Sequence, residues 1–277
     1  MTMFNSANAA ILPPEYGKLV IEPMTAASVA MQVATVVPTS AAEFHFPRVT
    51  SDVTAGWTAE GAAITPSDAD TDAYVVTPKK LASLTTLSNE LVNDSSPAAL
   101  QLVGDSIARE MARKLDAAFF GNLGGNAPAG LESLTGLIVV DSGAGYTNAD
   151  PFTDAVMEVE ASGGNVTSFV TDPATARTLA KLKQASGSNI PLITPDLAAP
   201  SGRVLLGRPL YVSAAVTAGT VWAISKADVF VVLRNGVEIA VDKSSAFASD
   251  STQIRGILRA APAFPRLDSV AKIYDAA

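Results

Sequence analysis

The sequence predicts an α+β fold, on three observations. A long apolar stripe at helical spacing follows directly on an acidic, hairpin-like stretch. The second half of the chain mixes helix signals with many short β-branched runs. No regular strand–helix–strand rhythm runs through it, which points away from a parallel α/β sheet, and there is no internal repeat.

Taken in order, residues 1–22 read as an extended arm. Pro13-Pro14 interrupts regular structure, and Leu19-Val20-Ile21 is a short apolar patch. Such an arm is ordered by docking rather than by its own core. Residues 23–42 carry no charge, but Gln32, Pro38 and several Ser and Thr make them too polar to span a membrane. They read as a short buried helix over Ala26–Ala34 and then a strand. His45, between Phe44 and Phe46, reads as a strand position beside Pro47.

The stretch from Trp57 to Lys80 reads as a hairpin opened by Trp57-Thr58-Ala59-Glu60-Gly61, with Pro66, Ser67 and Asp68 as turn formers. The outgoing strand, Tyr74-Val75-Val76-Thr77, is the better defined. Counting from Asp52, the acids Asp52, Glu60, Asp68, Asp70 and Asp72 make this region acidic, with no base between Asp52 and Lys79. Two legs at about 3.3 Å per residue would project about 30 Å. An isolated two-stranded ribbon is marginal in water, and this one has few large apolar residues to offset its ordering entropy. It is expected to be ordered by a partner.

Leu81, Leu84 and Leu87 sit among Thr85, Thr86 and Ser88, which favours a strand to Leu87 and a short helix from Ser88. Asp94-Ser95-Ser96-Pro97 is a helix start. Leu100, Val103, Ile107, Met111, Leu115 and Phe119 then recur every three or four residues on one face. Gln101, Asp105, Arg109, Arg113 and Asp116 are assigned to the other face. Asp105 with Arg109, and Glu110 with Lys114, are acid-before-base pairs at helical spacing. Gly121 ends a rod of about 37 Å, and residues 122–130 are a Gly-rich connector.

From Leu131 on, Asp150-Pro151 starts a helix with Phe152, Val156 and Val159 inward, stopped by Gly163-Gly164. Phe169-Val170 is a short strand. Asp172-Pro173 starts a helix with Leu179 and Leu182 inward, and Lys181 and Lys183 near its C-terminal end. Strands follow at 204–206, 210–212, 221–224, 229–233, 237–241 and 252–260, with Arg234-Asn235-Gly236 as a tight turn between two of them.

Composition narrows the function. The chain has 277 residues, 48% of them apolar, with much of that fraction Ala and Val. It has no Cys, so disulfides, thiolate nucleophiles and Cys-based metal sites are excluded. One His and no Cys cannot build a catalytic triad or a two-His metal site. There is no phosphate-cradling Gly-Lys-Ser/Thr loop and no Gly-x-Gly-x-x-Gly after a strand. Asp68-Ala69-Asp70-Thr71-Asp72 resembles half a calcium loop, but Ala73 stands where Gly is required and Lys79 where Glu is. It reads as a solvated acidic tip. No cofactor, metal or catalytic residue is expected. A net charge of −8 argues against a phosphate-binding surface spread over the protein, though a container wall around DNA tolerates it. No secretory signal is visible at Met1–Asn8.

Several stretches, each weak alone, occur in an order that resembles the major capsid proteins of tailed double-stranded DNA bacteriophages, whose fold is shared with encapsulins. They are Trp57-x-x-Glu60-Gly61, Lys80-Leu81-Ala82, Leu87-Ser88-Asn89-Glu90-Leu91-Val92-Asn93-Asp94-Ser95, Asp116 to Gly121, and Pro128-Ala129-Gly130-Leu131. Asp172-Pro173 with Leu179, Leu182 and Gly187, then Gly207-Arg208-Pro209-Leu210, Arg234-Asn235-Gly236 and Arg255 to Arg259, complete the order. The resemblance covers the chain from about residue 13. It implies an N-terminal arm at 1–22, an extended loop at 49–80, and an axial domain at 132–235 and 266–277. It implies a peripheral domain at 23–48, 81–131 and 236–265, with a spine helix at about 97–121. It also implies a structural subunit, not an enzyme, that assembles through hexamers and pentamers into an icosahedral shell around double-stranded DNA in the bacterial cytoplasm. DNA would be held without sequence-specific contacts and no membrane would be involved. An encapsulin-like nanocompartment shell and, in another class, a soluble metabolic enzyme are the alternatives.

Some relatives join a loop Lys covalently to an Asn of the peripheral domain. Residues 49–78 here contain no Lys, and residues 244–250 contain no Asn, so a non-covalent shell is expected. The chain starts almost at the arm, so scaffolding is expected as a separate protein; a portal, a maturation protease and decoration proteins are further partners the family implies. The expected contacts between copies are Trp57, Glu60, Asp68, Asp70, Asp72 and Tyr74 on the loop against Lys79, Lys80, Arg109, Arg113 and Lys114 on a neighbour. Packing around Trp57 and Tyr74 should outweigh the exposed ion pairs, which contribute about 0–1 kcal/mol each.

Overall fold

A four-stranded sheet packed against one long helix forms one part of the molecule. The computed structural model describes residues 28–51, 53–61, 63, 66–90, 98–185, 188–193, 201–242 and 244–276. The expected arm, Asp52, the helix start at Asp94–Pro97 and Gly187 lie outside them. The sheet runs β1 (Thr35–Thr39), β10 (Phe230–Asp242), β11 (Ser251–Ala263), β4 (Lys79–Ser88), with β1 parallel to β10 and the other pairs antiparallel. In β4, Leu81 and Leu87 turn toward the core while Leu84 is 63% exposed, as a two-residue period requires.

Helix α2 (Ala98–Phe120) buries Ile107, Met111, Leu115 and Phe119 against Ile254, Leu258 and Ala260 of β11, as its stripe predicts. Gly256 makes that approach possible. A Cβ there would fall 2.8 Å from the end of Met111 and 2.9 Å from Ile107. Gly130 does the same at the helix end, where a Cβ would fall 2.1 Å from the Ala118 carbonyl oxygen.

Asp116 departs from the expected exposed face. It is buried, and it holds the start of helix α1 (Val29–Val33). Its carboxylate accepts hydrogen bonds from the Ser28 hydroxyl at 2.6 Å and from the Val29 and Ala30 amides at 3.0 Å. These amides are the orphan donors of a helix N-terminus. Burial pushes the Asp116 carboxyl above its ordinary value, against the downward pull of those hydrogen bonds.

The second sheet has six strands in the order β5 (Ile138–Asp141), β12 (Val270–Tyr274), β9 (Val221–Ile224), β6 (Ser168–Thr171), β8 (Arg208–Val212), β7 (Val204–Leu205). Its central strands are buried on both faces. Phe169, Val221, Ala223, Ala271 and Ile273 share a core with helices α3 (Asp150–Ala161) and α4 (Pro173–Lys181). The intervening Val170, Trp222, Ile224 and Val270 join the core of α2 and the first sheet. This explains the unbroken apolar run Val221-Trp222-Ala223-Ile224. β5 and β12 do not follow from the sequence pattern; each is short and exists by pairing with a strand far along the chain.

Two turns differ from expectation. Arg234-Asn235-Gly236 does not separate two strands: β10 continues through it to Asp242 and stays paired with β11, with a register shift between Arg234 and Glu238. The expected boundary at residue 235 therefore falls inside one strand. The tight two-residue turn lies instead at Leu206-Gly207, between β7 and β8, where both residues have positive φ.

Candidate subunit interface

The hairpin exists, but its legs are β2 (Phe44–Ser51) and β3 (Asp70–Val76), paired antiparallel from Phe44↔Val76 to Ser51↔Asp70. The incoming leg thus begins before residue 49, and Trp57–Gly61 lies in the loop between the legs rather than opening the hairpin. The cause is an apolar base that the sequence reading missed. Phe44, Phe46, Tyr74 and Val76 alternate onto one face and pack on Phe230, Val232, Ala261 and Ala263. The Phe46 and Phe230 rings lie 4.7 Å apart. His45 is an exposed strand residue beside Glu43.

Beyond that base the large apolar residues among those described are left in water. Val49 and Val53 are more than half exposed, and Trp57 is 107% exposed. The Thr54 amide donates to the Ser67 hydroxyl at 2.9 Å, which donates back to the Thr54 carbonyl, closing the loop on itself. Glu60, Asp68 and Asp70 are exposed. Asp72 is engaged within the chain: Arg48, its cross-strand partner, donates to it at 2.7 Å and holds its carboxyl below the ordinary value. No cluster of potential metal ligands occurs among the described residues.

The five expected basic contacts divide. Arg113 and Lys114 both reach Glu110 on the same helix, Lys114 at 4.0 Å. Asp105 and Arg109 form no ion pair among the described residues. Lys79, Lys80 and Lys114 converge around one groove of about 210 Å³, between the start of β4 and the end of α2. Its floor includes Leu115, Ala118 and Ala260, and Leu123, 56% exposed, forms part of its wall. Arg109 and Arg113 do not line it. Lys80 lies in register with Arg259, and Arg259 with Arg234. Directly opposed residues share a face, and this row faces away from Leu81, Leu258 and Ala260, on the side of the sheet opposite α2. Leu123 had one sequence signal: it is the lone large apolar residue of a Gly-rich connector.

The loop after β10 is tied by its own side chains. Asp242 accepts from the Ser244 hydroxyl and amide and from the Ser245 hydroxyl, which hold its carboxyl down at about 2. Asn89, at the end of β4, donates to Asp250 at 2.6 Å. An Asn therefore does stand beside this loop, although residues 244–250 contain none.

A wider cleft of about 610 Å³ runs where Phe46–Val49 pass Phe230 and Pro265–Asp268. Arg266 on its wall donates to the Ser162 and Gly163 carbonyls, capping the end of α3. No described helix is long and apolar enough to cross a membrane.

This architecture is that of capsid subunits. Among solved structures the chain is similar to the capsid of an empty GTA particle (TM-score 0.76, 21% identity, 91% of this chain and 90% of that one). It is similar to the capsid of a native GTA particle (0.73, 24%, 91% of each), and to a chain of Microbacterium phage Oxtober96 (0.71, 20%, 89% and 90%). No curated protein is similar to it at the level of sequence. The family model described as "Phage capsid family" matches residues 8–273, nearly the whole chain, and the chain therefore belongs to the Phage capsid family.

Proposed function

We propose that the chain assembles through hexamers and pentamers into an icosahedral shell enclosing double-stranded phage DNA, held together without covalent crosslinks. The family match over residues 8–273 carries this reading. Membership makes the chain a structural component of a capsid, and the enzyme alternative finds no support in family or fold. Heterologous contacts that close into rings about local axes suit such a subunit. The ribbon supports the reading physically, since an exposed Trp and acidic loop on a thin two-stranded projection suit a contact surface between copies.

On this reading the loop at 49–80 reaches a neighbour, with Trp57, Glu60, Asp68 and Asp70 meeting bases such as Lys79, Lys80 and Lys114, while Tyr74, an expected contact, packs at the base of its own ribbon. Asp72 acts within its own ribbon. Residues 132–229 and 266–277 would form the axial domain, and the four-stranded sheet, with all of β10, and the spine helix the peripheral one. Assembly would take place in the host cytoplasm, with scaffolding, portal, protease and decoration functions on separate chains. The absence of Lys from residues 49–78 supports the non-covalent shell, and Asn89 does not change this, because the loop lysine is the missing partner.

Electron microscopy of the purified protein tests the reading. Closed icosahedral particles with nuclease-protected DNA are expected. Particles packed with protein cargo would favour an encapsulin-like shell, and small monodisperse oligomers would contradict both. A ladder of covalent oligomers on denaturing gels of mature particles would contradict the non-covalent shell.

A further inference from the structure

We infer that the lysine-rimmed groove between β4 and α2 seats Trp57 of a neighbouring copy. The inference rests on the shell reading above and names the receptor that reading leaves open. Trp57 is fully exposed, while the other tryptophan, Trp222, is fully buried. A large aromatic side chain held in water at the end of a ribbon is the residue type that anchors interfaces, because it buries much area at low entropic cost. The groove has the complementary form. Leu115, Ala118, Ala260 and Leu123 give an apolar lining, and Lys79, Lys80 and Lys114 stand around it.

Charge fixes the pairing. The loop that carries Trp57 also carries Glu60 and Asp68, and residues 49–78 contain no base. The groove is lined by three lysines, Lys79, Lys80 and Lys114, with no acidic residue among the described residues of its lining. An aromatic anchor flanked by acids therefore meets an apolar slot flanked by bases, which gives orientation as well as attraction.

The seat belongs to a second copy rather than to the same chain. The ribbon is paired from Val76 out to Asp70, about 20 Å at about 3.3 Å per residue. The groove begins at Lys79, three residues past the ribbon's base. A paired ribbon cannot fold its far end back onto its own root.

The unmodified chain tests this by fluorescence. Trp222 is buried in every state, so any change in quenching on assembly reports Trp57. Acrylamide, a neutral quencher, avoids repulsion by the acidic loop. In the unassembled subunit about half of the emission should be readily quenched. In purified particles the quenching slope should fall to that of a buried tryptophan, with a blue shift in emission. Unchanged quenching in intact particles overturns the inference.

Location is read by cysteine pairing, since the native chain has none. Oxidised particles of the Trp57→Cys, Leu123→Cys double variant should give a ladder of disulfide-linked oligomers on non-reducing gels. Trp57→Cys with Ile190→Cys, another exposed site, should give none. Particles without a ladder from the first pair overturn the seat. If Trp57→Cys blocks assembly, Leu123→Asp alone decides: Trp57 is expected to stay quenchable, and a protected Trp57 overturns the groove. Failure of the unmodified chain to form closed particles overturns the shell reading itself, whereas closed particles with an exposed Trp57 overturn only the seat.

Discussion

The six-stranded sheet and the ribbon are both written in Val, Phe, Tyr and Trp, yet they use them in opposite ways. In the sheet, Trp222 and its neighbours are buried on both faces, between α3 and α4 on one side and the core of α2 on the other. In the ribbon, Phe44, Phe46, Tyr74 and Val76 bury one face at the base only, and Val49, Val53 and Trp57 are left in water. The first region is complete within one chain. The second is complete only at its root. The same hydrophobic driving force, about 25 cal/mol per Å², stabilises the subunit in one place and remains available for association in the other.

The largest test of this contrast substitutes the two tryptophans. Trp222→Ala should cost about 3–5 kcal/mol of free-subunit stability in chemical denaturation, as for other large-to-small core changes. Trp57→Ala should change it by less than about 0.5 kcal/mol while lowering particle yield. Equal destabilisation by both would erase the distinction.

Next are the glycines that allow α2 its position. Gly130→Ala places a methyl group against backbone oxygens that cannot move aside, so it should fall at the upper end of about 1–3 kcal/mol. Gly256→Ala meets the flexible end of Met111 first and should cost less. Denaturation midpoints of the two variants give the order, and the reverse order would show that the helix end is the more compliant site.

Asp116→Ala should cost about 1–3 kcal/mol by leaving the Val29 and Ala30 amides without their acceptor, and Asp116→Asn less. Its pH dependence has a definite sign. A carboxyl raised above 3.8 by burial favours the fold fully below that pH, and the contribution is lost as pH rises through the raised value. Asp242 behaves oppositely: its contribution is present above 3.8 and lost as pH falls through about 2. Carboxyl-carbon NMR titration should find Asp116 ionising well above Asp242, and the opposite order would contradict the burial argument.

The smallest effect belongs to Arg48→Ala. It removes an exposed pair with Asp72 and should change subunit stability by less than about 1 kcal/mol.

What was legible in the sequence follows the range of the forces involved. The α2 stripe and the strand preference of Thr85, Thr86 and Ser88 in β4 are set by near neighbours, and both read correctly. Asn235-Gly236 carries a strong local turn signal, but pairing with the single long strand β11 overrides it as a bulge. Asp116 reads as a surface acid because Ser28, which it holds, lies 88 positions away. β5 and β12 have too few residues to announce themselves, and only pairing at long range makes them strands. The ribbon was visible as acidic and thinly cored, but its true incoming leg was not, because the surface that buries Phe46 comes from β10 and β11. Lys79 and Lys114 each read as candidate contacts, yet that they share one groove follows only from packing α2 beside the start of β4.

Hydrogen exchange measured by mass spectrometry on free subunits and on assembled particles tests the central contrast most directly. Amides of β6, β9 and β12 should be strongly protected in both states. Amides around Trp57 and Asp70 should exchange rapidly in the free subunit and become protected on assembly, while those of Phe46 and Val76 at the ribbon base change little. Ribbon-loop amides equally protected, or equally unprotected, in the two states would contradict the account.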